Sequence, residues 1–221
     1  MPSVNSDFLK AIGELYRRGA DGVLTVVAGS IQRVVHVARG QLVGADSNVR
    51  AEKLGQLLVA EGKLDPVLIE PLAAAAKAAG RLLGDQLLAE KLVAPSELVA
   101  ALERQVIVRF EQALLMQGRV ASAPKSAIQL LVRRPLGAAA LDAFRRFPLE
   151  AIEPLIAAMP QGPSQPVEAH LVDGLALTPA ELKVWRRLAT GHNVPEVLAE
   201  SQPPELGARL IAVLVGLEIL R

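Results

Sequence analysis

The 221-residue chain is expected to fold as an α+β protein that is mostly α-helical. Three observations lead there. Residues 53–66, Lys-Leu-Gly-Gln-Leu-Leu-Val-Ala-Glu-Gly-Lys-Leu-Asp-Pro, are echoed by residues 82–95, Leu-Leu-Gly-Asp-Gln-Leu-Leu-Ala-Glu-Lys-Leu-Val-Ala-Pro. Three β-branched segments between residues 22 and 46 are separated only by Gly29-Ser30 and Arg39-Gly40. Late in the chain, Leu177-Thr178-Pro179-Ala180-Glu181 has the form of a helix start, with a threonine cap, proline at the first helical position and glutamate closing a capping box.

The elements follow in order. Asn5 or Ser6 can cap a first helix, with Phe8, Ile12, Leu15 and Tyr16 at helical spacing and Gly19 ending it. The period then shortens. Segments 22–28, 31–38 and 41–46, joined by short glycine-containing turns, read as an antiparallel meander. One face of it should be solvated and the other should lie on a helix, either the first one or the repeat that follows. In the repeat, Leu54-Gly55 answers Leu83-Gly84, Leu57-Leu58 answers Gln86-Leu87, and Pro66 answers Pro95. Apolar-periodic runs over 67–79 and 97–105 follow the two copies. One unit is a short helix, a turn and a longer helix. It cannot bury its apolar face alone, so the two copies should pack together. The last helix runs long, to Met116.

Residues 118–123 look extended. Helical patterns resume over 126–132, 136–147 and 149–159, punctuated by Pro135, Pro148 and Pro160. Residues 160–168 carry three prolines and a glycine and read as a linker. Helices over 179–189, 194–200 and about 204–215, then a strand-like tail over 216–220, complete a winged-helix-like outline. The expected organisation is an N-terminal helix and β-meander (1–50), a tandem helical-hairpin repeat (51–116), a helical extension (117–159), a linker (160–176) and a C-terminal winged-helix-like module (177–221).

Composition narrows the function. Half the chain is apolar, enough for a core, and the net charge of +1 gives no global pull toward nucleic acid or membrane. The absence of cysteine excludes disulfides and thiolate zinc sites. Met1 to Asp7 lacks a basic region followed by an apolar one, so no secretory signal is read there. No apolar run approaches the roughly 18 residues of a spanning helix. A cytoplasmic protein without membrane insertion is expected. His36, His170 and His192 are scattered, with no partner at metal-ligand spacing, and no nucleophile motif or phosphate loop is present. No catalytic residue, metal or cofactor is expected.

The order of parts resembles the PatA N-terminal (PATAN) domain family of bacterial signalling proteins. The resemblance lies in Gly22-Val-Leu-Thr-Val, in Val34-Val-His-Val-Ala-Arg-Gly40-Gln-Leu-Val43, and in Lys53-Leu-Gly-Gln-Leu-Leu-Val59. It continues in Leu177-Thr-Pro-Ala-Glu181 with Gly191, and in Gly216-Leu-Glu-Ile-Leu220. It implies a non-enzymatic interaction module, often joined to receiver or other effector domains. The repeat also resembles the N-terminal domain of type II secretion and pilus assembly ATPases (the MshE/GspE N-terminal type). Some of those bind cyclic di-GMP through paired Arg-Leu-Gly motifs at a helix entrance.

By that resemblance the ligand-binding candidates are Lys53, Gly55, Arg81 and Gly84. A helix entry offers free N–H groups, and arginine can stack on guanine or fork onto phosphate. Here Lys53 and Leu82 replace the two arginines, Lys91 stands where Gly62 stands, and Arg81 is one residue early. The planar donor forks are lost, so cyclic di-GMP is expected to bind weakly or not at all. Eight basic residues between 101 and 146 (Arg104, Arg109, Arg119, Lys125, Arg133, Arg134, Arg145 and Arg146) outnumber three acidic ones. They are either a solvated face or a surface for an acidic protein.

The expected function is non-enzymatic protein–protein interaction, an adaptor in bacterial signal transduction such as two-component, motility or polarity regulation. The alternatives are a cyclic di-nucleotide receptor and a winged-helix DNA-binding regulator; an enzyme ranks last. Against base reading, the second helix of the turn would begin Pro203-Pro204-Glu205-Leu206-Gly207-Ala208, with Arg209 its only cation. The nearly unbroken apolar run 210–220 exceeds what a three-helix module can cover. It should meet the rest of the chain, a second copy as a homodimer, or a protein partner. On that ground the C-terminal module and the meander are the expected docking surfaces.

Overall fold

The structure, a computed structural model, describes residues 3–124, 132–159, 162–166 and 169–220. The expected helix over 126–132 lies, apart from Val132, outside the described residues, as does Lys125.

Helix α1 (Ser6–Arg17) is capped by Asn5, whose Oδ1 accepts from the Phe8 N–H at 3.0 Å. The same side chain donates to the Met116 carbonyl at 2.8 Å. One buried residue therefore starts α1 and ties it to a chain segment more than a hundred residues away. Phe8, Leu9, Ile12, Gly13 and Tyr16 form the buried stripe, while Asp7, Lys10 and Glu14 face water.

Strands β1 (Gly22–Ala28), β2 (Ile31–Ala38) and β3 (Gln41–Ser47) pair antiparallel as the expected meander. The sheet is wider than expected. β4 (Arg119–Ala123) adds to the free edge of β1, and the two-residue β5 (Arg134–Pro135) adds to β3, giving the order β4-β1-β2-β3-β5. Leu24, Val26, Val35, Val37 and Ala45 form an inner face of the sheet, on which α1 and the long helix α5 (Pro95–Leu114) pack.

Before α5 come three shorter helices, α2 (Leu54–Ala60), α3 (Ile69–Ala78) and α4 (Leu83–Ala89). After β5 come α6 (Leu136–Arg146) and α7 (Leu149–Ala157), then α8 (Pro179–Ala189), α9 (Val194–Glu200) and α10 (Pro204–Gly216). The α8 start follows its sequence: Thr178 Oγ1 accepts from the Glu181 N–H, and Glu181 returns the bond to the Thr178 N–H at 2.7 Å.

Of the expected destinations of the run 210–220, the structure shows the first, the rest of this chain. The run 210–220 is not a free apolar surface. Leu210, Ile211, Ala212, Val213, Leu214, Leu217, Ile219 and Leu220 are at most 1% exposed. α10 packs on α1, α6, α7, α8 and α9 and shares one core with the sheet. Gly13 allows this, because a Cβ there would stand 2.8 Å from the Leu217 backbone. Within 210–220 only Val215 and Glu218 are even partly exposed, which leaves little of this stretch for a partner. The strand-like tail is also reduced. α10 continues to Gly216, Glu218 turns with φ 57°, and only Leu220 bridges to Pro166.

The segment read as a linker is strapped to the body wherever it is described. Ser164, 2% exposed, donates to the Leu188 carbonyl at 2.7 Å. A 3-10 turn over Ala169–Leu175 buries Val172 and Leu175, and the Leu171 carbonyl accepts from the Tyr16 hydroxyl at 2.6 Å. Gly137 and Gly174 make room for that side chain; a Cβ on Gly137 would stand 2.7 Å from the ring and one on Gly174 2.2 Å from the hydroxyl oxygen.

Burial, aided by the Asp173 carboxylate, pushes the Tyr16 phenol from 10.0 up to about 12. A folded pKa raised above the unfolded one means the contribution is complete below pH ~10 and is lost as pH rises toward 12. Tyr16 is the only tyrosine, so phenolate absorbance reports it alone. The expected midpoint is well above 10 in the folded protein. Titration near 10 with the fold intact would contradict the buried geometry.

Candidate functional site: the tandem helical unit

Helices α2, α3, α4 and the first half of α5 own a small core apart from the main one. It is built from Leu54, Leu58, Leu64 and Leu72 with Leu87, Val93, Leu98 and Ala101. The backbone repeats as well. Lys53 (φ −78°, ψ 148°) and Leu82 (φ −78°, ψ 155°) precede α2 and α4 in the same extended conformation. Gly62 and Lys91 both turn left-handed after those helices, with φ 69° and 57°. A lysine there carries the steric cost that glycine avoids.

The two Leu-Gly entries lean on each other. A Cβ on Gly55 would stand 3.3 Å from Leu83 Cδ2, and one on Gly84 would stand 3.4 Å from Leu98 and 3.7 Å from Leu54 Cδ2. Both glycines face apolar side chains of the unit. Lys53 and Gly55 line a hollow of about 150 Å³ with Arg50, Gln56, Ile69, Glu70, Ala73 and Leu83. Arg81 and Gly84 do not line it. Lys53 and Arg81 are both exposed. Arg50 is committed to Glu70 at 2.7 Å. The structure thus brings two of the four candidate residues to one hollow and leaves the other two outside.

That hollow is smaller than the ~300–1,000 Å³ of ordinary ligand sites. α2 and α4, at seven residues each, present only short entries. Cyclic di-GMP is expected to bind with a dissociation constant above about 100 μM. Calorimetry giving low-micromolar binding that disappears in Lys53→Ala or Arg81→Ala would contradict this.

A polar seam joins the unit to the sheet. Arg33 on β2 is 8% exposed and Glu52, just before α2, is 5% exposed. Arg33 Nε donates to Glu52 Oε1 at 3.1 Å and Oε2 at 3.2 Å, and its Nη2 also reaches Oε1. Gln105 on α5 donates to the Glu52 carbonyl at 2.8 Å. Arg109 Nη1 donates to the Ala45 carbonyl at 2.7 Å. The pair is well hydrogen-bonded, which is the condition for burying it tolerably.

Five of the eight basic residues, Arg104, Arg109, Arg134, Arg145 and Arg146, are held in ion pairs within the chain. Arg104 pairs with Glu61 at 2.5 Å. Arg134 pairs with Asp142 and Arg146 with Glu111. Arg145 pairs with Asp142 and with Glu181. Burial pushes the Glu181 carboxyl upward, but hydrogen bonds from Arg145 and Thr178 outweigh it and hold the group below the usual range. Arg209, the one cation of the helix that would read bases, turns inward and donates to the Phe144 carbonyl at 2.5 Å and to that of Phe147. His36 contacts Asp46 at 2.9 Å, and no metal-binding group forms among the described residues. No helix among them is long and apolar enough to cross a membrane.

The feature that sequence reading missed is apolar. Of the large hydrophobic side chains exposed among the described residues, all but Ile31 belong to this unit: Val67, Leu68, Leu82, Leu92 and Val99, with Leu82 70% and Val99 55% exposed. A signal was present. Leu82 stands where the first copy has Lys53, and Val99 where it has Glu70. Comparison with protein-family models, with curated proteins and with solved structures returns no match.

Proposed function

We propose that the protein is a non-enzymatic docking module, an adaptor that holds a protein partner on the outer face of its tandem helical unit. The observation that carries this reading is the concentration of exposed leucine and valine on that unit. Elsewhere among the described residues, Ile31 is the one large apolar side chain left exposed, and most of the others share one core. Contiguous exposed apolar surface on a soluble domain marks interaction sites. Both copies contribute: Val67 and Leu68 belong to the first, and Leu82, Leu92 and Val99 to the second. A place in bacterial signal transduction, such as two-component, motility or polarity regulation, rests on the resemblance to PATAN domains. The closing three-helix module, winged-helix-like in outline, serves in this reading as packing scaffold, because its last helix is spent in the core and Arg209 is turned inward.

The test is capture from the native lysate with the wild type and with a Leu82→Asp/Val99→Asp double variant. Both positions are exposed, so the variant should keep its thermal transition. A partner held by the wild type and lost by the variant supports the reading. A partner held equally by both, or a variant that unfolds, counts against it.

A further inference from the structure

A second surface, formed by other helices, has a different chemistry. α7 and α10 pack together, and with α9 they enclose a groove of about 470 Å³. Its apolar lining is Leu149, Ile156, Leu198, Pro204 and Ala208. The remaining lining residues are Glu150, Glu153 and Glu205, so every charged group in the lining is a carboxylate. Glu150 and Glu153 belong to α7 and Glu205 to α10, which places negative charge on both walls. Both α7 glutamates are exposed. Glu205, its side chain 58% exposed, pairs with Arg209 at 3.8 Å, a guanidinium that also donates to two backbone carbonyls, and it shares a neighbouring hollow with Arg145.

A glutamate in the first turn of a helix is ordinary, because it complements the helix dipole. That accounts for Glu150 and Glu205, which open α7 and α10. It does not account for Glu153, one turn further along the same wall. Nor does it explain why the charged residues that line this apolar floor are all carboxylates.

We infer that this groove binds a basic amphipathic helical segment of a partner protein, whose aliphatic or aromatic anchors enter the floor while flanking Lys or Arg side chains meet Glu150, Glu153 and Glu205. The volume falls in the range of sites that seat apolar side chains. The mode is helix-in-groove recognition, read through anchors at i, i+3 or i+4. Opposed acidic rims suit cations on either side of those anchors, and they repel acidic peptides and anionic surfaces. The site is independent of the tandem helical unit, and each surface can fail without the other.

The test pans a displayed library of peptides of roughly 12 residues, a little over three helical turns, on the full chain. Fluorescence anisotropy is then run on the enriched sequences. Enriched peptides are expected to combine two or more Lys or Arg with Leu, Ile or Phe at helical spacing, and to bind in the micromolar range. Glu150→Lys with Glu153→Lys should weaken them by about tenfold or more. Ala208→Gln, which fills the floor without touching the charge, should weaken them as well. Fluorescence of the single Trp185 checks that each variant keeps its thermal transition. Should the double reversal not fold, Ala208→Gln decides alone. The inference is overturned by enriched peptides that lack cations, by affinity unchanged in the folded variants, by loss in Leu82→Asp instead, by competition from spermine as strong as from the peptide, or by a library that yields nothing.

Discussion

Val213→Glu is expected to abolish the native fold at neutral pH. Val213 is fully buried on α10, between Ala212 and Leu214, which are buried too. A carboxylate there would be placed in the apolar core cluster, and an unpaired buried charge costs several kcal/mol even after relaxation. Whole domains are stable by only about 5–15 kcal/mol. The helix also joins the sheet core to α6, α7, α8 and α9, so the damage does not stay local. Neighbouring Val215 is partly exposed, and Val215→Glu should lower the melting temperature while leaving a cooperative transition. Circular dichroism and Trp185 fluorescence separate the two outcomes. A Val213→Glu protein that melts within a few degrees of wild type would show that α10 offers a free face after all.

Arg33→Ala should destabilise the protein by about 3–5 kcal/mol, because it strands the Glu52 carboxylate in a site only 5% exposed. For a chain of this size that is a fall in melting temperature of roughly 10 °C. The pair itself need not be strongly stabilising. Removing both charges at once, Arg33→Met with Glu52→Leu, should recover most of the loss, since a well-packed apolar pair often replaces a buried ion pair at little cost. A double-mutant cycle on thermal denaturation measures the coupling. If the double variant is as unstable as the sum of the two single ones, the seam does not act as a pair. The seam links β2 to the segment just before α2, and Gln105 of α5 bonds that same segment.

Much of the secondary structure was legible because its causes are local. Thr178, Pro179 and Glu181 specify the start of α8 within four residues, and the structure begins the helix at Pro179. Asn5 caps α1 as one of two candidates. β-branched runs separated by Gly29 and Gly40 made the meander, and the turns carry φ of 59° and 67° at those glycines. The echo of Leu54-Gly55 in Leu83-Gly84 led directly to a shared small core. The surfaces were much less legible. Lys53 and Arg81 drew attention by chemistry, but only Lys53 reaches the hollow, while Leu82 and Val99, aliphatic side chains with no such chemistry, are the exposed ones.

Sequence by itself determined the class of the fold, the order of its helices and central strands, and the absence of cysteine chemistry, because capping, turn formation and hydrophobic period act between near neighbours. Only the tertiary structure decided which apolar faces are spent. The run 210–220 and the exposed face near Leu82 are both rich in aliphatic side chains. The first vanishes against α1, α6 and α7, while the second stays in water. The same holds for charge: Arg145 finds Glu181, and Arg146 finds Glu111, each 35 or more positions away in the chain. β4 and β5 likewise reach the two edges of the meander from the far side of α5. Such pairings depend on where distant segments arrive in space, and the hydrophobicity or charge of a residue carries no information about which neighbour will arrive.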